Sequence, residues 1–189
     1  MRKIILIFSI IISMVLMGAS PAPQCLKYIK TVKKAAFRQG VLPNTPMFMG
    51  QIEQESKCNE NAIAFDGGQG LSQFMPKTAE WIQEAYPELK KISPIPNPLN
   101  PYWAITAMIW YDRYLYGKVL CQDWHYALRA YNGGYGLLNK EIKEAGTCDY
   151  EEVAKHCHRS KFSCDVNTSY PYRVFQKALK YEPYLLFSN

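Results

Sequence analysis

Apolar residues recur at helical spacing along most of the chain. The first such stretch places five apolar side chains on one predicted helix face and ends at Gly40: Leu26, Ile29, Val32, Ala36 and Phe37. Further helices are predicted over 46–57, 76–86, 101–117, 123–130, 134–146 and 171–184, and most of them start at a proline or at a capping side chain. The pattern therefore predicts one compact domain that is mainly α.

Three stretches between these helices are predicted to be irregular. Residues 62–72 contain Asp66-Gly67-Gly68 and Gly70, which favour a loop with at most a short hairpin. Residues 87–101 are rich in proline, which indicates an extended surface segment. Residues 147–170 hold three of the cysteines, and the last helix is predicted to begin only at Pro171.

The N-terminus has the layout of a secretory signal. Basic Arg2 and Lys3 precede the apolar run 4–17, and small residues and prolines follow it. We predict a signal peptide over 1–22 and a mature domain over 23–189, exported to the periplasm. The apolar run is shorter than the roughly 20 residues that a membrane span needs. We therefore expect no membrane span after cleavage, and an uncleaved N-terminal anchor is the alternative.

The six cysteines all follow the predicted signal, and an even number in an exported domain indicates disulfides. The sequence leaves their pairing open. Three precede residue 147 and three follow it, so full pairing requires at least one bridge between the two groups. His156-Cys157-His158 could also be interpreted as zinc ligands, but the spacing is not a zinc pattern. We predict no metal and no cofactor.

The net charge of +6 is mild, and no run of Lys or Arg is present. Such a charge favours anionic polymers only weakly. We therefore expect no nucleic-acid partner.

Glu55 is the candidate for acid chemistry. On a helix at about 100° per residue, Phe48, Met49 and Ile52 share one stripe, and Glu55 falls within it. A carboxyl group among apolar side chains has a raised pKa. A general acid needs this to remain protonated near neutral pH. The alternative is a glutamate at the helix end that faces solvent or pairs with a lysine.

Four short motifs occur along the chain in an order that can be compared with known families. They are Glu55-Ser56, Gly70-Leu71-Ser72-Gln73-Phe74-Met75-Pro76, Ala130-Tyr131-Asn132-Gly133-Gly134 and Tyr170-Pro171-Tyr172. Over about 47–184 this set resembles the soluble lytic transglycosylases, whose catalytic domain has a lysozyme-like fold with little or no strand. The resemblance implies non-hydrolytic cleavage of the β-1,4 bond between N-acetylmuramic acid and N-acetylglucosamine in peptidoglycan, which leaves 1,6-anhydro ends.

The resemblance also implies roles for single residues. Glu55 would be the catalytic acid and base. Substrate-binding positions would be Ser56, Gln73, Met75, Tyr131, Asn132 and Tyr172. More ordinary roles are open for three of them: Met75 as core filler, Asn132 as a turn residue and Tyr172 as a buried tyrosine. Two positions depart from the family pattern: Ala64 replaces a frequent serine, and Thr168-Ser169 replaces a frequent acidic residue.

Most glycosidases use two catalytic carboxylates, and Asp66 is the only candidate here for the second one. An Asp before Gly-Gly is more typical of a turn, so one acid is the coherent interpretation. The alternatives are a goose-type lysozyme, which uses water, and a wall-binding assembly factor that does not cut. A small chain of this kind also resembles the transglycosylases encoded with secretion or conjugation systems, which makes such machinery an expected partner.

Overall fold

The computed structural model describes residues 20–186. These residues are mainly helical and include no strand, only isolated bridges from Ile63 to Gln69 and from Gln69 to Phe74. The α-helices are α1 (Pro23–Leu26), α2 (Ile29–Arg38), α3 (Thr45–Ser56), α4 (Pro76–Ala85), α5 (Pro101–Lys118), α6 (Trp124–Gly133), α7 (Tyr135–Ala145), α8 (Tyr150–Lys155), α9 (Lys161–Ala178) and α10 (Pro183–Leu186). Short 3₁₀ helices cover Leu42–Asn44, Pro87–Lys91 and Leu179–Tyr181.

The fold is built around α3, which packs against α9 along its length. Gly50 makes this close approach possible. A Cβ atom at Gly50 would lie 2.4 Å from the carbonyl oxygen of Val174 and 2.7 Å from the backbone nitrogen of Ala178. Since no real side chain tolerates such distances, the glycine sets how closely the two helices pack and brings the last turn of α3 beside the middle of α9.

The stretch 147–170 is not irregular, and the sequence prediction was wrong there. Asp149 accepts a hydrogen bond from the backbone of Glu152 and caps α8, and Ser160 accepts one from Ser163 and caps α9. The last long helix thus begins ten residues before Pro171, which lies inside it. A proline removes one helical hydrogen bond, and here burial of this face against α3 and α6 compensates for the loss.

The predicted face of α2 is largely correct. Ile29, Val32 and Ala36 are buried, whereas Phe37 is 70% exposed. Position 37 lies about 100° further round the helix than position 36, which takes the ring out of the buried stripe.

The glycine loop, residues 62–74, closes against the segment before α5. Gly70 has φ +70°, and a Cβ atom there would lie 1.8 Å from the carbonyl oxygen of Pro98. Only glycine fits this position. The loop therefore packs directly on the proline-rich segment and is held at the end of α3.

All six cysteines form disulfides, which confirms the sequence prediction. The pairs are Cys25–Cys58, Cys121–Cys148 and Cys157–Cys164. The second pair joins the two groups of cysteines, as full pairing required. The first pair fixes the chain three residues after Glu55 to the N-terminal helix α1, which anchors the end of α3.

Within residues 20–186, no helix is both long enough and apolar enough to cross a membrane. The predicted signal peptide over 1–22 lies almost entirely outside the described residues.

Candidate active site

Glu55 lies in the last turn of α3, directly beyond the fully buried side chains of Phe48, Met49 and Ile52. The helix ends at Ser56, one residue later, because Lys57 has the left-handed conformation, φ 51°. The carboxyl group is thus carried by the apolar stripe to the edge of the core, where it is only partly exposed.

This position changes the acidity of Glu55. Burial disfavours the charged carboxylate and raises the pKa of Glu55 from 4.5 to about 7. Asp66, in the glycine loop, adds a negative charge that raises the pKa of Glu55 further. At neutral pH a large fraction of the side chain therefore carries the proton that a general acid must deliver.

Two groups on α9 lower the pKa of Glu55. The hydroxyl of Tyr170 donates a hydrogen bond to Oε1 of Glu55, and the guanidinium of Arg173 lies close enough to favour the carboxylate. Both lower the pKa of Glu55 against the larger effect of burial. Tyr170 is itself buried, so the hydrogen bond fixes one oxygen of the carboxyl group while the group exchanges its proton.

The other carboxyl groups near Glu55 have different environments. Asp66 is exposed, and its Oδ1 accepts a hydrogen bond from the backbone of Gly68 at 3.2 Å, which is the turn role predicted for it. Asp112 on α5 is fully buried, and burial raises the pKa of Asp112 well above its ordinary value. Its Oδ1 accepts a hydrogen bond from Gln51. Burial therefore favours the neutral form of Asp112.

The glycine loop brings one of the predicted residues, Gln73, to the end of α3, where Ser56 lies. The hydroxyl of Ser56 lies 3.1 Å from the carbonyl oxygen of Leu71, which ties helix and loop together. Gln73 has φ 50°, a left-handed conformation that costs a non-glycine residue roughly 1–2 kcal/mol. Its amide donates a hydrogen bond to the carbonyl of Gly70 at 2.7 Å. Strain of this kind is concentrated at functional sites.

Met75 stands at the mouth of this region. It precedes α4 and is 42% exposed, so it is not core filler. A Cβ atom at Gly67 would lie 3.6 Å from the methyl group of Met75, which therefore reaches across to the glycine loop. An exposed, flexible thioether at this place can pack against a ligand.

Tyr131 lies near the C-terminal end of α6, close enough to Glu55 for the two groups to interact electrostatically. Its hydroxyl donates a hydrogen bond to the carbonyl of Ser72 at 2.6 Å, and its ring packs 5.7 Å from that of Phe74. Burial and the charge of Glu55 raise the pKa of Tyr131 well above its ordinary value. Tyr131 thus remains neutral and joins α6 to the loop beside the carboxyl group.

The side chain of Asn132 is hydrogen-bonded within the protein. Its Oδ1 accepts a hydrogen bond at 3.0 Å from Asn167 of α9. Asn167 also accepts from the fully buried Arg129, which pairs with the buried Glu141 at 2.6 Å. The turn after Tyr131 is therefore braced against α9 by a buried polar network.

Tyr172 is not among the residues that the structure groups around Glu55. It is 43% exposed, its hydroxyl donates to Glu151 at 3.2 Å, and its ring lies 5.4 Å from that of Tyr150. It lines a separate cavity of about 410 Å³ beside His125. The tyrosine that contacts Glu55 is Tyr170, two residues earlier.

Sequence reasoning missed Tyr170 because it took Pro171 as a helix start. The sequence did contain a signal for a helix that continues through Pro171. Residues at helical spacing, Asn167, Val174 and Ala178, lie on one face of it. That face includes Tyr170 and leaves Tyr172 outside it.

Among the described residues, no group of three or more His, Cys, Asp and Glu side chains is placed to hold a metal ion. Cys157, considered above as a zinc ligand, is disulfide-bonded to Cys164.

Comparisons with known proteins identify the family of the chain. The family model of the transglycosylase SLT domain matches residues 30–154. The chain belongs to this family. The matched range includes Glu55, Gln73 and Tyr131 but ends before Tyr170, so the contact of Tyr170 with Glu55 rests on the structure alone.

One solved structure shows the same lysozyme-like fold. It is the 70 kDa soluble lytic transglycosylase SLT70 from Escherichia coli, with a TM-score of 0.60 and 23% sequence identity. The likeness covers 75% of this chain and 22% of that one, so the chain spans about a fifth of its relative's length. A search of curated proteins gives no match.

Proposed function

We propose that the protein is a lytic transglycosylase that cleaves the bond between N-acetylmuramic acid and N-acetylglucosamine in peptidoglycan without water. The observation that carries this proposal is the raised pKa of the buried Glu55 carboxyl group. Membership of the SLT family supports transglycosylase chemistry, and burial raises the pKa of Glu55 to about 7. Such a carboxyl group can both give and take a proton near neutral pH.

The proposed reaction uses Glu55 twice. Protonated Glu55 gives its proton to the oxygen of the glycosidic bond, which breaks as the leaving sugar takes the bonding electron pair. The Glu55 carboxylate then takes the proton of the C6 hydroxyl on the muramic acid. The C6 oxygen bonds to C1 of the same sugar, and a 1,6-anhydro end forms. The acid is restored and no water is consumed.

The neighbours of Glu55 fit these two steps. In the second step the carboxylate must exist as an anion, and the Tyr170 hydroxyl and the Arg173 guanidinium favour that form. Gln73 and Met75 are the residues that we assign to hold the sugars, with Tyr131 beside the carboxyl group. Ser56 bonds to the glycine loop, Asn132 to α9 and Tyr172 to Glu151 on α8, and we assign structural roles to these three.

We also propose that the protein works outside the cytoplasm. Three disulfides support this, because reducing compartments rarely allow them to persist. The periplasm and an association with secretion or conjugation machinery stay predictions. Copurification of the full chain with envelope proteins from its source cells tests that association.

The test of the proposal is mass spectrometry of the fragments released from purified peptidoglycan by the protein and by Glu55→Gln. Anhydro ends from the unaltered protein alone are the expected result. Reducing ends would instead make the protein a lysozyme. Release of nothing by a folded protein would favour a wall-binding role.

A further inference from the structure

The outward side of α2 is strongly basic. The core side of this helix carries four buried apolar residues: Ile29, Val32, Ala35 and Ala36. At 3.6 residues per turn, the remaining positions lie on the opposite side of the helix. Four of them are cationic, and we call this side the basic face: Lys30, Lys33, Lys34 and Arg38. The helix thus gathers on one surface charges that form no run in the sequence.

Three charges of the basic face have no acidic partner. The first acidic residue of the chain is Glu53, which lies beyond α2. Lys30, Lys34 and Arg38 are exposed, and none of them forms an ion pair with any residue in the range 20–186. They follow one another at intervals of four residues, where like charges on a helix repel. An anionic partner would relieve this repulsion.

A groove of about 520 Å³ opens beside the basic face, where α2 meets α5 and the 3₁₀ helix Pro87–Lys91. Its walls include four cations and two threonine hydroxyls: Lys30, Lys34, Arg38, Lys91, Thr31 and Thr106. Lys91 pairs with Glu88, which lines an adjoining cavity. The other three cations keep their full charge. Cations beside hydroxyl donors suit a phosphate group, whose oxygens accept several hydrogen bonds.

Phe37 lies in the middle of the basic face. Its ring is 70% exposed, and in projection down the helix it falls between Lys33 and Lys34. A membrane surface accommodates both kinds of side chain, because anionic headgroups attract the cations and the acyl boundary takes up an apolar ring. A surface of acidic side chains would satisfy only the cations. The exposed ring therefore favours a membrane over an acidic protein.

The groove and the candidate active site lie on opposite sides of α5. Tyr102 is 62% exposed and lines the groove, whereas the ring of Tyr111 lies 5.6 Å from that of Tyr131, the neighbour of Glu55. Tyr102 and Tyr111 are nine positions apart, which places them about half a turn from each other around the helix. A surface that contacts the basic face would therefore leave the surroundings of Glu55 open to peptidoglycan.

We propose that the basic face of α2 docks the protein on a membrane surface that carries anionic phospholipids. Lys30, Lys34 and Arg38 contact headgroup phosphates, the groove holds one of these phosphates, and Phe37 enters the boundary between headgroups and acyl chains. Docking in this orientation directs the side of the protein that carries Glu55 away from the membrane. The proposal does not depend on the cleavage reaction, because no residue of the basic face takes part in it.

Sedimentation with lipid vesicles tests this proposal on the protein in the soluble form that expressing cells release. The vesicles contain phosphatidylcholine with increasing fractions of phosphatidylglycerol. Binding should rise with the anionic fraction and weaken with added salt. Lys30→Gln combined with Lys34→Gln should weaken binding by about 25-fold, since each cation near an anionic surface contributes a factor of about five. Binding that is independent of the anionic fraction would overturn the proposal.

The matched control is Lys140→Gln combined with Lys143→Gln on α7. Both lysines are exposed, and the double substitution changes the net charge by the same amount. The control variant should bind the vesicles as the unaltered protein does. An equal loss of binding in the two double variants would overturn the proposal, because net charge alone would then explain the binding.

Phe37→Ser distinguishes a membrane from an acidic protein as the partner. This variant should bind anionic vesicles about tenfold more weakly, since it loses an apolar ring that the membrane would bury. Its binding to polyglutamate in solution should equal that of the unaltered protein. Unchanged vesicle binding by Phe37→Ser would overturn the membrane proposal, and loss of polyglutamate binding in Lys30→Gln with Lys34→Gln would then assign the basic face to an acidic protein.

Discussion

The hydroxyl of Tyr170 donates a hydrogen bond to the carboxyl group of Glu55, although the two residues lie 115 positions apart in the sequence. This contact opposes the effect of burial on the acidity of Glu55. It stabilises the anion, whereas burial stabilises the neutral acid. The balance leaves the pKa of Glu55 at about 7, where one group can serve as acid and then as base.

Tyr170→Phe should change the pH dependence of peptidoglycan cleavage. Without the hydroxyl the pKa of Glu55 rises, so the loss of activity at alkaline pH should move to higher pH. The rate at the optimum should fall by about ten- to a hundredfold, since a hydrogen bond to a charged group contributes about 1.5–3 kcal/mol. Initial rates across the pH range measure both effects.

Tyr172→Phe is the matched control for that experiment. Its hydroxyl donates to Glu151, and Tyr172 is not among the groups that shift the pKa of Glu55, so its pH profile should match that of the unaltered protein. A shifted profile for Tyr172→Phe and an unshifted one for Tyr170→Phe would show that the roles of the two tyrosines are reversed.

Glu55→Gln should stabilise the protein at high pH. The folded pKa of about 7 lies above the ordinary 4.5, so the folded state binds this proton more tightly than the unfolded state. That contribution to stability is complete below about pH 4.5 and is lost as pH rises through about 7. The gap corresponds to at most about 3 kcal/mol.

Urea unfolding of both proteins at several pH values measures this effect. Glutamine keeps an oxygen that can accept from Tyr170, so the comparison isolates the ionisation. The advantage of the variant should be largest above about pH 8 and absent at about pH 4. A constant difference at all pH values would show that Glu55 ionises normally in the folded protein.

Gly50→Ala should destabilise the fold and reduce activity together. The new Cβ atom would meet the backbone of α9 at Val174 and Ala178, which must move away. Overpacking of this kind costs about 1–3 kcal/mol, and the shift would carry Tyr170 away from Glu55. Thermal unfolding and cleavage rates measure the two effects.

Gly117→Ala is the control, because a Cβ atom at this helical glycine meets nothing within 4 Å. It should stabilise α5 by about 0.5–1 kcal/mol and leave activity unchanged. Equal behaviour of the two variants would contradict the role given to Gly50.

Glu141→Gln should be strongly destabilising. Arg129 and Glu141 are both fully buried and pair at 2.6 Å, and Arg159 also pairs with Glu141. Removing one charge leaves Arg129 uncompensated, which costs about 3–5 kcal/mol. Glu152→Gln breaks only the exposed pair with Lys155 and should change stability by less than about 1 kcal/mol. Similar unfolding midpoints for both variants would argue against the buried network.

Much of this structure follows from local sequence signals. The stripe of Phe48, Met49 and Ile52 predicts the direction of Glu55 because it depends only on helical periodicity. The glycine loop and the cap at Asn100 are equally local, since Asn100 accepts from the backbone of Tyr102 and Trp103.

Other features depend on tertiary packing. A proline inside a helix is disfavoured locally, and only burial of α9 against α3 and α6 shows that Pro171 does not end it. The pairs Cys25–Cys58 and Arg129–Glu141 join separate elements, 33 and 12 positions apart in the sequence, and no local pattern selects them. The contact of Tyr170 with Glu55 was missed for this reason.

The most direct test of the account is digestion of purified peptidoglycan in water labelled with heavy oxygen, followed by mass spectrometry of the new sugar ends. We predict that the unaltered protein gives ends lighter by one water than a reducing end, without label, and that Glu55→Gln gives none. New reducing ends that carry the heavy oxygen would contradict the account, because water would then have attacked the sugar.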